Sequence, residues 1–315
     1  MEVLITEFID ESALSLFDEA GVTYAYKPEA WQGFSFDEKA LASLKAIIVR
    51  NKTRVGADLL NQCPQLQVIG RLGVGLDNID VAAAKKRGVS VVSARNANAI
   101  SVAEYVIAAM LAVVRRLREA DEHVTEGGWD RHTFTGLELY GKTLGLIGCG
   151  EIAQRLALRA KSLGMNVIGH DPYVAPYDFA PSELKMQLRS LDEVLERADF
   201  VSLHVPLTEG TRHLIDYKRL KQMKPSAYLI NTSRGGVIQE EHLRQALQEG
   251  RLAGAVLDVL EEEPPHRDHP LLGLKGVLVT PHIAGLTVES QARVARLVIG
   301  EVLHELQGDP SICRV

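Results

Sequence analysis

Cysteine is scarce: Cys63, Cys149 and Cys313 are the three in 315 residues. Their spacing makes neither a metal-ligand set nor a disulfide framework, and the small number suits a reducing compartment. No metal is expected. Long apolar runs are also missing. No stretch of about 18 apolar residues occurs, so no membrane-spanning helix is expected. The N-terminal MEVLITEFIDES has no basic region and no long apolar run, so it does not read as a signal peptide. Together these absences point to a cytoplasmic protein. Positive charge is in deficit, 35 Lys and Arg against 41 Asp and Glu, for a net charge of −6. That leaves no electrostatic case for nucleic acid or an anionic membrane as partner. What is present, 46% hydrophobic and 24% charged residues, is ordinary for a soluble globular protein, and the length suggests two domains.

Residues 144–171 organise the rest: LGLIGCGEIAQRLALRAKSLGMNVIGHD. Residues 144–147 predict a buried strand. Gly148, Gly150 and Ala153 then make G-x-G-x-x-A, and residues 151–163 predict a helix closed by Gly164. A second apolar run ends at Asp171, near the expected spacing of about 20 from the glycines. Strand, glycine turn, helix, strand and terminal acid form a dinucleotide-binding unit. The glycines let the backbone turn sharply and approach a pyrophosphate. The helix N-terminus meets it with free N–H groups and a positive dipole end.

Before this unit, strands are expected at 3–6, 22–26, 46–50, 66–71 and 89–93, and helices at 11–20, 37–44, 57–62 and 80–87, with a loop at 27–36. That alternation means a parallel sheet covered by helices. Residues 101–124 predict one long helix with a broad apolar face: Ala103, Val106, Ile107, Met110, Leu111 and Val114. It reads as a link between domains with apolar surface to spare for a partner subunit; an intramolecular core helix is the alternative. A long connection at 127–140 follows. Six further strands are expected at 144–148, 166–170, 200–204, 227–231, 253–257 and 277–280. A last helix, 287–306, is expected to return to the first domain. The expected class is α/β, with two Rossmann-like, doubly wound parallel-sheet domains and an active-site cleft between them. Residues 1–97 plus 286–315 would form one domain, flavodoxin-like and substrate-binding, and 98–285 the dinucleotide-binding one.

Ligands of an open α/β sheet bind beyond the carboxyl ends of its strands. Four successive strand ends of the second sheet carry His204-Val205-Pro206, Asn231-Thr-Ser-Arg-Gly-Gly236, Asp258 to Pro265, and Pro281-His282. An Arg after a strand is commonly a surface ion pair, a Glu-Glu-Glu run a solvated loop, and a His after Pro a turn residue. Placed together they offer an imidazole, a guanidinium, carboxylates and a second imidazole, as an active site should. With Val49-Arg-Asn51, Arg71-Leu-Gly-Val-Gly-Leu-Asp77, Ser101-Val-Ala-Glu104, Leu257-Asp-Val259 and Glu263-Pro264, these segments resemble the NAD-dependent D-isomer-specific 2-hydroxyacid dehydrogenases. The likeness is strongest to the D-3-phosphoglycerate dehydrogenase branch and runs over nearly the whole chain.

The resemblance implies a catalytic triad of Arg234, Glu263 and His282. Arg234 would fork onto the carboxylate of a 2-oxo acid and polarise its ketone. His282 would protonate the alkoxide formed by hydride transfer, with Glu263 on its other ring nitrogen. His204 would contact cofactor rather than donate a proton. Asp171 would accept hydrogen bonds from the adenosine ribose and repel a 2′-phosphate, so NAD is expected over NADP. Val74, Gly148, Gly150, Glu151, Ile152, Val205, Pro206, Thr232, Asp258, His282 and Gly285 are the further cofactor neighbours implied. Arg50, Asn51, Gly73, Val74 and Gly75 would hold the substrate carboxylate through backbone N–H groups. Lys52 and Arg54 would meet a second anionic group or remain exposed charges. The implied substrate is 3-phosphoglycerate or an anionic analogue such as sulfolactate, then hydroxypyruvate or glyoxylate. A homodimer through the nucleotide domain is expected. Because the chain ends at Val315, a C-terminal regulatory domain and serine feedback are not. From another class, a dinucleotide-sensing corepressor on the same fold is the alternative.

Overall fold

The apolar runs of the sequence become two parallel sheets. The computed structural model describes residues 1–32 and 38–315. These divide into two compact units, Met1–Asn98 with Leu286–Val315, and Ala99–Gly285.

In the first unit, β1 (Val3–Ile5), β2 (Tyr24–Tyr26), β3 (Ala46–Val49), β4 (Val68–Arg71) and β5 (Ser90–Ser93) pair in parallel. Their order, β2-β1-β3-β4-β5, is that of a flavodoxin-like sheet. β1, β3 and β4 are buried at every residue; β1 and β3 read as unbroken apolar runs rather than as alternation, and β4 does so up to its last residue, Arg71. Helices α1 (Ser15–Glu19), α2 (Glu38–Ala42), α3 (Ala57–Gln62) and α4 (Val81–Lys86) lie between them in sequence. The helix expected at 11–20 is divided. The Asp10 side chain accepts from the Ser12 N–H, and the segment enters through a 3-10 turn, Glu11–Ala13, before α1. Of the loop expected at 27–36 and the helix expected at 37–44, residues 33–37 lie outside the described residues.

The second unit begins with α5 (Ala99–Arg115) and α6 (Leu117–Thr125). A single helix over 101–124 was the expectation, and the chain breaks it at Arg116, which is left-handed at φ 49°. The cause is the following connection, which folds back on the helix end. The Val114 carbonyl accepts from Leu137 N–H at 3.1 Å, so its helical partner is replaced. The Arg116 guanidinium sits 5.1 Å from the Phe134 ring centre and donates to the Thr133 carbonyl.

The second sheet has seven parallel strands: β6 (Thr143–Ile147), β7 (Asn166–His170), β8 (Gln187–Leu188), β9 (Phe200–Leu203), β10 (Tyr228–Asn231), β11 (Gly254–Leu257) and β12 (Val277–Val279). The order is β12-β11-β10-β9-β6-β7-β8, the Rossmann order with a seventh strand added. β8 was not expected; two half-exposed residues carry no periodic signal. One face packs on α5 and α7 (Glu151–Ser162), where Val106 and Met110 meet Leu156 and Ala160. So α5 is a core helix of this unit, the alternative left open by the sequence. The other face packs on α9 (Leu191–Arg197), α10 (Tyr217–Leu220) and α11 (Glu240–Gln248); a short α8 (Phe179–Ser182) precedes β8.

The last helix, α12 (Val288–Gln307), belongs to the first unit. It opens on a capping box between Thr287 and Ser290. A side chain at Gly70 of β4 would come within 2.8 Å of both Val298 and Val302, so glycine permits the close approach of helix to sheet.

The loop after β3 is shaped by a buried acid. Glu7 is 3% exposed, and its carboxylate accepts the successive N–H groups of Arg50, Asn51, Lys52 and Thr53 at 2.8–3.2 Å. Burial opposes ionisation, but the amides of Thr53, Lys52 and Arg50, with the Thr53 hydroxyl, outweigh it and hold the carboxyl below its ordinary 4.5. A depressed acid contributes stability above the unfolded value and loses it as pH falls through the folded one. The stability of the protein should therefore decline below about pH 5. Glu7→Gln, which puts an NH₂ against two of the four N–H donors, is expected to cost roughly 1–3 kcal/mol at pH 7 and to flatten that decline. Urea midpoints of both proteins between pH 3 and 7 check this; parallel curves would refute it.

Candidate active site

The glycine turn lies where the second sheet reverses its strand order, between β6 and β9. Gly148 has φ 88°, and a side chain there would stand 2.6 Å from the His204 carbonyl oxygen. Gly150, the residue before α7, faces open space where a side chain would be. Ala153 is fully buried against the sheet, the reason the third motif position must be small. Glu151 pairs with Arg155 one turn on and Ile152 follows it on α7.

Asp171 follows β7 and closes the unit. Its Oδ2 accepts from the Cys149 N–H and its Oδ1 from the Tyr173 N–H, both at 2.9 Å. Each oxygen keeps a lone pair for a further donor. Cys149 itself is buried, and burial beside Asp171 pushes its thiol up to about 12, so it is inert. His204 contacts Ser202 Oγ through Nε2 at 2.9 Å, and burial pushes its imidazole down to about 4. A neutral imidazole near neutral pH suits a packing or cofactor contact, not a proton donor. Val205 packs on the adjacent core, Pro206 is exposed, and the Thr232 Oγ1 is buried with no hydrogen-bond partner. An open glycine turn at a helix N-terminus, an acid with lone pairs to spare and an orphaned buried hydroxyl fit a dinucleotide.

Arg234 follows β10. Buried Asn231 fixes its loop by accepting from Ser233 N–H and Oγ and donating Nδ2 to the Arg234 carbonyl. Gly235 then lies against the Leu260–Glu261 peptide, with no room for a side chain. That contact brings the arginine loop beside the loop that carries Glu263. Glu263 Oε1 accepts from the Leu260 N–H, and Oε2 lies 2.7 Å from His282 Nδ1. Burial works against the charge of Glu263, but His282, the Leu260 amide and Arg234 together hold its carboxyl below the ordinary value.

His282 is left-handed, φ 57°, at the centre of a turn wrapped around Asp258. Its N–H donates to the Asp258 carbonyl, and the Asp258 carboxylate accepts from Thr280 Oγ1, Ile283 N–H and Ala284 N–H. Asp258, expected as a cofactor neighbour, is buried with its carboxylate turned into this turn, and Gly285 follows directly. The positioning roles of Asn231, Asp258 and Thr280 were not expected from the sequence. Their signal was their place at strand ends.

The first unit's expected substrate residues need a correction. The N–H groups of Arg50 and Asn51 are taken by Glu7, so the loop after β3 does not offer them to a carboxylate. The Arg50 guanidinium donates to Gln291 Oε1 at 2.5 Å and to the Phe8 carbonyl. Lys52 Nζ lies 3.9 Å above the Trp31 ring centre, and Arg54 is exposed. After β4, Gly73 bonds back to Arg71, whereas the N–H groups of Val74 and Gly75 donate to nothing among the described residues. The described residues hold no His, Cys, Asp and Glu group suited to a metal, and no helix among them is long and apolar enough to cross a membrane.

Residues 107–284 match the family described as D-isomer specific 2-hydroxyacid dehydrogenase, NAD binding domain. The chain belongs to that family. Its second unit is therefore an NAD-binding domain, in keeping with the fit of the glycine turn. This dehydrogenase-family chain is 45% identical over 311 residues to a Chromohalobacter salexigens (S)-sulfolactate dehydrogenase, covering 97% of the chain and 98% of that protein. It is 42% identical over 311 residues to a Methanocaldococcus jannaschii D-3-phosphoglycerate dehydrogenase, covering 98% of the chain but 58% of that longer protein. Among solved structures, a Paecilomyes thermophila glyoxylate reductase superposes with a TM-score of 0.88 at 28% identity, over 100% of this chain and 98% of that one.

Proposed function

We propose that this family member is an NAD-dependent oxidoreductase that interconverts a small D-2-hydroxy acid and its 2-oxo acid. The observation that carries the reading is the His282–Glu263 pair at 2.7 Å, beside the loop of Arg234. Bound NAD supplies or accepts the hydride. Arg234 grips the substrate carboxylate and polarises the ketone oxygen. His282 gives its Nε2 proton to the developing alkoxide and takes it back in the oxidation direction. Glu263 holds Nδ1, which fixes the ring and stabilises the imidazolium. Gly148, Gly150, Glu151 and Ile152 receive the pyrophosphate, and Asp171 the adenosine ribose. His204, Val205, Pro206, Thr232 and Gly285 line the remaining cofactor path. The Gly73-Val74-Gly75 loop, with two undonated N–H groups, takes over the substrate-carboxylate role first expected of both loops.

The substrate we favour carries a second anionic group, as 3-phosphoglycerate and sulfolactate do. The names of the relatives and the exposed cations Lys52 and Arg54 support it. Exposed Trp129, Tyr140, Leu111 and Leu158 on the second unit support a homodimer through that unit. We place the enzyme in the cytoplasm, with no nucleic acid or membrane partner. Initial rates of NADH oxidation with phosphohydroxypyruvate, sulfopyruvate, hydroxypyruvate, glyoxylate and pyruvate test the reading. The first two are expected to lead, and no turnover of any would end it.

Cofactor choice has its own test. Asp171→Ala removes a charged acceptor, so kcat/KM with NAD should fall roughly tenfold to a hundredfold while NADP changes little. A constant NAD/NADP ratio would show that Asp171 is not the selector.

A further inference from the structure

We propose that Tyr105, on α5, is a positioning residue for His282, acting through Thr280 and Asp258; the role rests on His282 being the proton donor. Tyr105 Oη lies 2.6 Å from Thr280 Oγ1, and Thr280 Oγ1 lies 2.5 Å from Asp258 Oδ1. A carboxylate only accepts, so Thr280 gives its single proton to Asp258 and meets Tyr105 with a lone pair. Tyr105 must then donate. Burial, partly offset by the Thr280 contact and reinforced by the Asp258 charge, pushes its phenol up to about 12, so that proton stays in place at any physiological pH.

The relay ends on the turn that presents His282. Asp258 Oδ1 is shared by Thr280 and Ile283 N–H, and Oδ2 takes Ala284 N–H. The three bonds flank His282 on both sides and hold it at φ 57°, a backbone state that a residue with a side chain resists. The other end of the relay is rigid. α5 is 17 residues long, and Val102, Ala103, Val106 and Ala109 around Tyr105 are buried in the same unit. α5 also packs on α7, the helix whose N-terminus receives the cofactor. Tyr105 thus ties the cofactor helix layer to the proton-donor turn. The charged groups in play are Asp258 at the turn, Glu263 on Nδ1 of His282, and Arg234 beside Glu263. Cooperative hydrogen-bond chains of this kind set geometry more than each bond does alone.

Tyr105→Phe deletes the donor and little else. With the 2-oxo acid that the enzyme turns over best, kcat is expected to fall about threefold to tenfold, the worth of one hydrogen bond. The Kd for NADH should stay at the parent value, and the melting temperature should fall by no more than a few °C. Thr280→Val should do at least as much, and Thr280→Ser, which keeps the hydroxyl, should recover most of that loss. The Tyr105→Phe and Thr280→Val effects should fail to add in the double variant, because both cut one chain. A readout free of turnover is the NMR signal of the His282 imidazole, assigned by its loss in His282→Asn. A looser turn loosens the Glu263 contact, so the ring resonances should move and broaden in Tyr105→Phe and Thr280→Val. Parent-like kcat and ring resonances in both single variants would overturn the proposal, as would additive losses or a fall in kcat without Ser rescue. If the parent reduces no 2-oxo acid, the proposed activity fails, and the ring resonances alone decide the positioning role.

Discussion

His282→Asn is expected to slow turnover by roughly two to four orders of magnitude, the scale of general acid–base help. Asn is the right replacement for a structural reason. His282 is left-handed at φ 57°, and Asn tolerates that state better than other residues with side chains. The turn around Asp258 keeps its three bonds, which involve Thr280, Ile283 and Ala284 and not the imidazole. An amide near Glu263 can still donate to its carboxylate, so that acid is not left without a donor. What disappears is a group able to give and take a proton near neutral pH. NADH affinity, measured by fluorescence titration, should therefore stay near the parent value while kcat falls in both directions. Parent-like turnover would remove His282 from the mechanism.

Gly235→Ala should damage both stability and activity. Its new methyl carbon would lie 1.9 Å from the Leu260 carbonyl carbon and 2.3 Å from the Glu261 nitrogen. Those are backbone atoms, so no rotamer change relieves the contact. One loop must move. Overpacking of this degree should cost about 3 kcal/mol, the upper end of the common range. In a unit of this size that lowers the melting temperature by roughly 6–12 °C. The motion also separates Arg234 from Glu263, and a misplacement near 1 Å costs on the order of a hundredfold in kcat/KM. Calorimetry and initial rates on one preparation check both. A variant as stable and active as its parent would show that the two loops are not held against each other.

Much of the fold was readable because its cause is local. Buried parallel strands such as β1 and β3 are unbroken apolar runs, and the turn at Gly148 needs a residue free to take φ 88°. The strand-end chemistry was readable too, since an open sheet collects its ligands at one edge. The residues that hold those groups were not. Glu7 acts on residues 50–53 across more than forty positions, and Asp258 acts on 280–284. Neither bond leaves a period in the sequence. The same holds for Arg116, where the helix stops because a later segment takes the Val114 carbonyl. Apolar pattern alone ran straight through it.

The placement of α12 sets an order of events during synthesis. Val294, Ala295, Val298, Ile299, Val302 and Leu303 fill the core against Val3, Ile5, Ile48, Val68 and Val92. The strands of the first unit leave the ribosome early, yet their covering helix arrives after the whole of the second unit. The unit made first thus completes its core last, and the NAD-binding unit folds while a bare sheet face waits. A released chain truncated after residue 285 should have protease-resistant residues 99–285 and a digestible N-terminal segment.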